Sequence, residues 1–220
     1  MVTDFKITYC SFSAAKYACV NWHYSKAMPT GKLVKIGVWE ENKFIGCIIF
    51  GWGANNNLCK AYDLPQTQVC ELCRIALKEH KNPVSLYLSK ALVLLKKCSP
   101  DLKVVVSFAD MNEGHVGIVY QAANWAYTGT AKSTPKYFFK GRWIHNRQLY
   151  SRGFKTSSGF KTKEQVSKRR YEYYLDKAAR KKFITRALKY PACDNSITAN
   201  AVSDQLTEGG QHYLIAQKTL

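Results

Sequence analysis

Residues 103–129, KVVVSFADMNEGHVGIVYQAANWAYTG, decide how the rest of the chain is read. Val104-Val105-Val106 begins a short β-branched run that passes through Ser107 and Phe108 to Ala109-Asp110, and such a run bounded by turn residues reads as a buried strand. Asn112 offers an N-cap, after which Val116, Val119, Tyr120 and Ala123 recur at helical spacing. A second strand begins at Trp125. Strand, helix and strand joined by tight turns place Asp110 at the carboxyl edge of a sheet, where α/β proteins keep their chemistry. The pattern is equally satisfied by an Asp110 that only caps the helix.

Working outward, charge is the next constraint. The chain has 220 residues, 46% of them hydrophobic, and a formal net charge of +18. Residues 131–190 hold 18 of the 33 Lys and Arg against three acids, Glu164, Glu172 and Asp176. Self-repulsion on this scale calls for a polyanion, and aromatic rings interleaved with cations suit base stacking with phosphate neutralisation. Lys136, Lys140, Arg142, Trp143, Arg147, Arg152, Lys155, Lys168, Arg169 and Arg170 are the candidate nucleic-acid contacts. The expected division is a core over 1–130, a basic extension packed on it over 131–190, and a polar tail over 191–220. Residues 164–189 read as a helix with Tyr171, Tyr174 and Leu175 on one face.

Upstream, 5–9 reads as a strand and 14–20 as a small helix, with His23 and Tyr24 on the loop that follows. Strands at 34–39 and 44–50 form a hairpin around a four-residue turn, Glu40-Glu41-Asn42-Lys43. The strand at 69–77 carries Glu71 and Arg74 inside an apolar run. Either these two satisfy each other, or Arg74 points into a site. Asn82 and Pro83 cap and start the next helix, whose free N–H groups make Lys81, Asn82, Val84 and Ser85 the candidate cofactor-binding set. Eight cysteines without framework spacing, a polar N-terminus and no bilayer-length apolar run point to a reduced, cytoplasmic protein with no membrane span.

The order strand, helix, hairpin, strand, helix, strand, helix, strand resembles the GNAT acyltransferase fold, an α/β architecture with a mixed central sheet flanked by helices. In that fold the donor lies in the splay between two central strands. The local words resemble the phage-encoded Mom DNA-modification proteins more closely. They include Trp22-His23-Tyr24-Ser25, Gly37-Val38-Trp39-Glu40, Gly53-Ala54-Asn55, Glu71-Leu72-x-Arg74 and Ser107-x-Ala109-Asp110, the last running on through Gly114-His115-x-Gly117 to Tyr120-Gln121-Ala122. This resemblance implies carbamoylmethylation of adenine N6 in double-stranded DNA, protecting phage DNA from host restriction. It assigns His23, Tyr24, Arg74, Asp110 and Tyr120 as functional, and it implies iron, for which His23, Tyr24 and Asp110 are the candidate ligands. Acetyl-CoA and glycyl-tRNA both stand as donors, tRNA being a second nucleic-acid partner. The Gly-rich pyrophosphate loop of ordinary GNAT enzymes is missing, with His80-Lys81-Asn82-Pro83 in its place. A non-catalytic nucleic-acid-binding protein and a CoA-dependent N-acetyltransferase of another substrate are the competing classes.

Overall fold

Two sheets of very different size organise the computed structural model, which describes residues 2–53, 57–131 and 134–191. The expected tail therefore lies outside the described residues beyond 191, as do Ala54-Asn55 of the sequence motif and the side chain of Arg147.

β1 (Phe5–Tyr9) leads to α1 (Phe12–Trp22), which starts at Ser11, whose hydroxyl accepts the Ala14 N–H. β2 (Leu33–Glu40) and β3 (Lys43–Gly51) form the expected hairpin with a tighter turn. Only Glu41 and Asn42 connect them, both with positive φ (48° and 63°), as the two-residue turn that matches strand twist demands. β4 (Val69–Leu77), α2 (Val84–Cys98), β5 (Val104–Ala109), α3 (Ile118–Ala122) and β6 (Ala126–Ala131) follow. Next come β7 (Lys136–Phe139), β8 (Arg142–His145), α4 (Asn146–Tyr150) and β9 (Thr162–Lys163). β10 (Lys168–Tyr174) and α5 (Lys177–Phe183) complete the order.

The large sheet runs β1-β2-β3-β4-β5-β10-β6. Every neighbouring pair is antiparallel except β4 with β5. α2 covers one face over Ile36, Ile48, Leu72, Val105 and Tyr171, and α1 packs on Cys47, Ile49 and Ala76 of the other. α5 closes that second face over Val69, Val104 and Val106. This is the mixed sheet with flanking helices that the resemblance implied.

Three local expectations are corrected. Residues 164–189 are not one helix: β10 inserts between β5 and β6, and only Lys177–Phe183 is α-helical, capped by Asp176 accepting from Ala179 N at 2.8 Å. RRYEYY alternates, with Tyr171 fully buried on the α2 face and Glu172 buried on the other. That period-two burial overrides the helical stripe. The helix after β5 is also shorter than expected, because Gly117 (φ 89°) interrupts the chain just before it. Asn82 does not cap α2: its side chain instead accepts from Thr3 N and donates to Thr3 O and Glu40. Residues 134–167, with the three-stranded sheet β8-β7-β9, thus form an insertion between β6 and β10, and β10 belongs to the main sheet.

Candidate active site

The parallel pair is joined over only a short ladder. β4 and β5 match at Val69–Val104, Cys70–Val105 and Glu71–Val106, and the ladder stops there. At the next position a side chain replaces the missing rung: the Ser107 hydroxyl reaches Leu72 O at 3.2 Å and the Tyr120 hydroxyl at 2.8 Å. One proton serves the serine, so when it donates to Leu72 O the tyrosine donates to it. On the other edge of β4 the pairing with β3 slips between Ile49 and Phe50, leaving Cys73 as a bulge directly before Arg74. Bulges re-aim side chains beside functional sites, and this one sits at the mouth of the wedge.

Strand alternation places Asp110 on the same face as Val104 and Val106, in the gap between α1 and α5. The C-terminal end of α1 delivers His23 and Tyr24 to that gap, their rings 4.2 Å apart, and His115 of the β5–α3 loop closes on Tyr24 at 5.2 Å. Tyr24 is the hub. Desolvation pushes its phenol up to about 12, helped by the charges of Asp110 and Glu113 and opposed by Arg74, with Tyr120 near enough to contribute. Four of the five residues expected to be functional therefore surround Tyr24 or are Tyr24 itself, and the fifth, His23, stacks on it.

His23 is buried (8% exposed), and its Nδ1 accepts the Ser25 N–H at 3.1 Å with the Ser25 hydroxyl at 2.8 Å. This pattern assigns the proton of the neutral ring to Nε2. Burial, then the charges of Arg74, His115 and Lys26, bring its pKa down to about 4, so it is uncharged at neutral pH. His115 is lowered as well, by burial against the opposing pull of Glu113 and Asp110. Burial alone would raise the Asp110 carboxyl. Its 2.6 Å ion pair with Lys168 and the Asn112 donors outweigh that and hold it below the usual carboxylate range. Arg74 donates to Cys73 O at 2.6 Å, while its buried Nε has no hydrogen-bond partner among the described residues. Burial raises the Tyr120 phenol.

The three candidate iron ligands do not make a ligand set. Asp110 is spent on Lys168 and Asn112, and the His23 nitrogen that carries no proton is spent on Ser25. Among the described residues no three His, Cys, Asp or Glu side chains converge to hold a metal.

The cofactor-binding expectation meets a different obstacle. The N–H groups of Lys81 and Asn82 point at a carboxylate, but it is the chain's own: buried Glu40 accepts both, at 3.0–3.1 Å. Asn82 Nδ2 and the Tyr87 hydroxyl donate to the same group. Lys81 Nζ is tied to Glu41 at 2.6 Å, and Val84 and Ser85 begin α2 beyond the cradle, half-buried. An anion site is present there, and Glu40 fills it.

The candidate nucleic-acid residues divide. Lys140, Arg142, Trp143, Arg152 and Lys155 are exposed on the insertion, with Lys136 half-buried. Lys168 belongs to the active site through Asp110. Arg169 is buried and donates to Val116 O at 3.2 Å, and Arg170 is engaged with the Tyr62 hydroxyl at 2.7 Å and Glu172 at 3.2 Å. Those two arginines therefore stabilise β10 from inside instead of facing a ligand. Sequence reading passed over His115, Glu113 and Glu40. Both His115 and Glu40 lie within motif words, Gly114–Gly117 and Gly37–Glu40, but the role of Glu40 was hidden because its partners are about forty residues away.

Among solved structures the fold is similar to spermidine N-acetyltransferase from Vibrio cholerae, determined with CoA and spermine. The identity is 8%, over 77% of this chain and 95% of that one, at a TM-score of 0.45. It is also similar to a GNAT-family acetyltransferase from Streptococcus pneumoniae, with 10% identity over 79% of this chain and all of that one, TM-score 0.45. In sequence the chain is 29% identical over 182 residues to methylcarbamoylase mom of Escherichia phage Mu, covering 76% of this chain and 74% of that protein. The model of the Mom protein family matches residues 4–192, and the chain therefore belongs to the Mom protein family.

Proposed function

We propose that the chain is a DNA-modification transferase that installs a carbamoylmethyl group on adenine N6, so that host restriction enzymes no longer recognise the DNA. The observation that carries this reading is the convergence of Asp110, Arg74, His23, Tyr24 and His115 on the open side of the β4–β5 wedge, with Tyr120 at its root. It is joined by the likeness to the phage Mu methylcarbamoylase.

Adenine N6 is a poor nucleophile because its lone pair is delocalised into the ring, so the base must leave the stack and lose a proton as the new bond forms. Asp110, ionised and fixed by Lys168, accepts a hydrogen bond from N6–H and orients the amine. A carboxylate held below its usual range is a weak base in the ground state, but the proton it faces becomes acidic once N6 attacks. The neutral imidazole of His115 is on hand to relay that proton, while His23, its proton-free nitrogen bound to Ser25, holds the Tyr24 ring in place. Tyr24 supplies a ring face for the extruded base. The unpartnered Arg74 N–H neutralises the oxyanion of the acyl donor.

A glycyl group and a carbamoylmethyl group are isomers, which makes an activated glycine the sensible donor. Attack by N6 on the glycyl carbonyl expels the donor's leaving group and gives C6–NH–CO–CH2–NH2. The terminal amine then attacks C6 and displaces the amide nitrogen, leaving C6–NH–CH2–CO–NH2 with no atom gained or lost. Glu40 in the cradle speaks against a CoA pyrophosphate docked on α2 and favours an aminoacyl ester of tRNA, which the basic surface also suits. The decisive experiment is mass spectrometry of nucleosides from plasmid DNA co-expressed with wild type or Asp110→Ala. A deoxyadenosine heavier by one carbamoylmethyl unit, lost in the variant, is the expected result. Unmodified DNA from folded wild type in cells holding glycyl-tRNA would sink the reading.

A further inference from the structure

The insertion between β6 and β10 contains a pocket of about 500 Å³ lined by Phe139, Lys140, Arg142, Arg152 and Phe154. Phe139 and Phe154 meet edge to face at 5.4 Å, and Phe160 backs both, at 6.2 and 5.2 Å. Lys140 Nζ and the Arg152 guanidinium each stand over the Phe139 ring, at 5.6 and 5.8 Å. Phe154 is 37% exposed although its ring belongs to this cluster. No acidic side chain lines the pocket, so its three cations face the cavity without a lining counter-ion.

We infer that this pocket holds one unpaired nucleotide of a nucleic-acid strand, its base against the exposed ring of Phe154 and its phosphate among Lys140, Arg142 and Arg152. A paired base has both π-faces covered by its neighbours, so an aromatic wall in a concavity engages a base only after it has left the stack. The volume is that of a small-ligand site, and three of the five lining residues are cations. A convex basic ridge would serve a duplex backbone; a cation-lined aromatic hollow serves a splayed nucleotide. The inference rests on the DNA reading above for its purpose, because extruding an adenine for modification leaves nucleotides unpaired beside it. The contact itself is testable without any chemistry.

The test is fluorescence anisotropy of the full chain, carrying Asp110→Asn so that no turnover occurs, with a labelled single-stranded 12-mer. A matching 12-mer with abasic sites at its centre is the comparison. Wild-type pocket residues are expected to bind the base-containing strand about tenfold more tightly than the abasic one, the scale of one base–aromatic stack. Phe154→Leu, which keeps apolar bulk but removes the ring, should erase that difference while leaving the salt dependence unchanged. Arg142→Gln and Arg152→Gln should each reduce the slope of log affinity against log salt by about 0.7, the single-strand value per phosphate contact. Equal affinity for the two strands, or a Phe154→Leu variant of native circular dichroism that still tells them apart, overturns the proposal. If neither the single strand nor a duplex of the same sequence binds, the DNA reading falls with it, and if the duplex alone binds, the pocket assignment falls. If strong binding does not depend on the pocket, only the pocket assignment falls.

Discussion

Asp110 serves two purposes at once. One oxygen caps the turn at Met111–Glu113 by accepting from Asn112 N at 3.1 Å, while the other meets Lys168 at 2.6 Å across from β10. The carboxylate thus caps this turn, not α3, whose N-cap is Gly117, and the proposed reaction asks the same group to orient the substrate amine. Asp110→Asn preserves the cap and is expected to lower modification at least about 100-fold, the lower range for loss of a positioned acid–base group, as read by nucleoside mass spectrometry. Lys168→Gln should leave activity but move the acid limb of its pH profile upward, because the ion pair that lowers Asp110 is gone. His23 gives a separate pH signature. Its folded pKa is brought down to about 4 from an ordinary 6.5, so the unfolded chain binds more protons between those values. The stability linked to His23 is complete above pH 6.5 and is lost as pH falls toward 4, up to about 3 kcal/mol. Urea midpoints at pH 7 and pH 5 for wild type and His23→Gln measure it, and the variant should show a smaller drop.

At the scale of elements, the cradle before α2 is held by one side chain. Glu40 accepts from Lys81 N, Asn82 N, Asn82 Nδ2 and the Tyr87 hydroxyl. Burial opposes its charge, yet these donors keep its pKa below the usual carboxylate value. Glu40→Ala would strand buried donors and is expected to cost about 3 kcal/mol by urea denaturation. If the cradle is a filled anion site, added sulfate should recover part of that loss in the variant and not in wild type. Gly117 is the second element-level constraint. Its φ of 89° strains any L side chain, and a Cβ there would lie 2.3 Å from the Tyr171 ring. Gly117→Ala should lower the thermal midpoint by several degrees, reflecting roughly 2 kcal/mol or more, and loosen the loop that carries His115.

The whole molecule separates scaffold from reach. Ala131 and Lys168 are register partners at the ends of β6 and β10, so everything between them departs from and returns to one point. Replacing residues 132–167 by Asn-Gly should close a tight hairpin and leave a folded core with Lys168 still on Asp110. Such a chain is expected to lose most nucleic-acid affinity and its steep salt dependence, measured by anisotropy between 50 and 200 mM salt. No helix among the described residues is long and apolar enough to cross a membrane.

Much of this was local enough for the sequence to settle. The β-branched run of β5, the hairpin of β2 and β3 and the apolar stripe of α2 follow from periodicity and turn chemistry, because each depends on neighbours within a few positions. Arg74 was legible as a charge inside an apolar strand and Asp110 as an acid at a strand's carboxyl end, and the charge excess of residues 131–190 needed only counting. Tertiary structure decided what depends on distant partners. β10 is a central strand because β5 and β6 offer it a slot, a fact hidden from a segment rich enough in Lys and Arg to read as helix. Arg169 and Arg170 became internal supports for the same reason. Glu40 fills the anion cradle through bonds spanning about forty residues, and Tyr24 gathers His23, His115 and Asp110 from elements nearly ninety residues apart. Periodicity reports which face of an element is buried; only the folded chain decides which other element covers it, and the site lies between those elements.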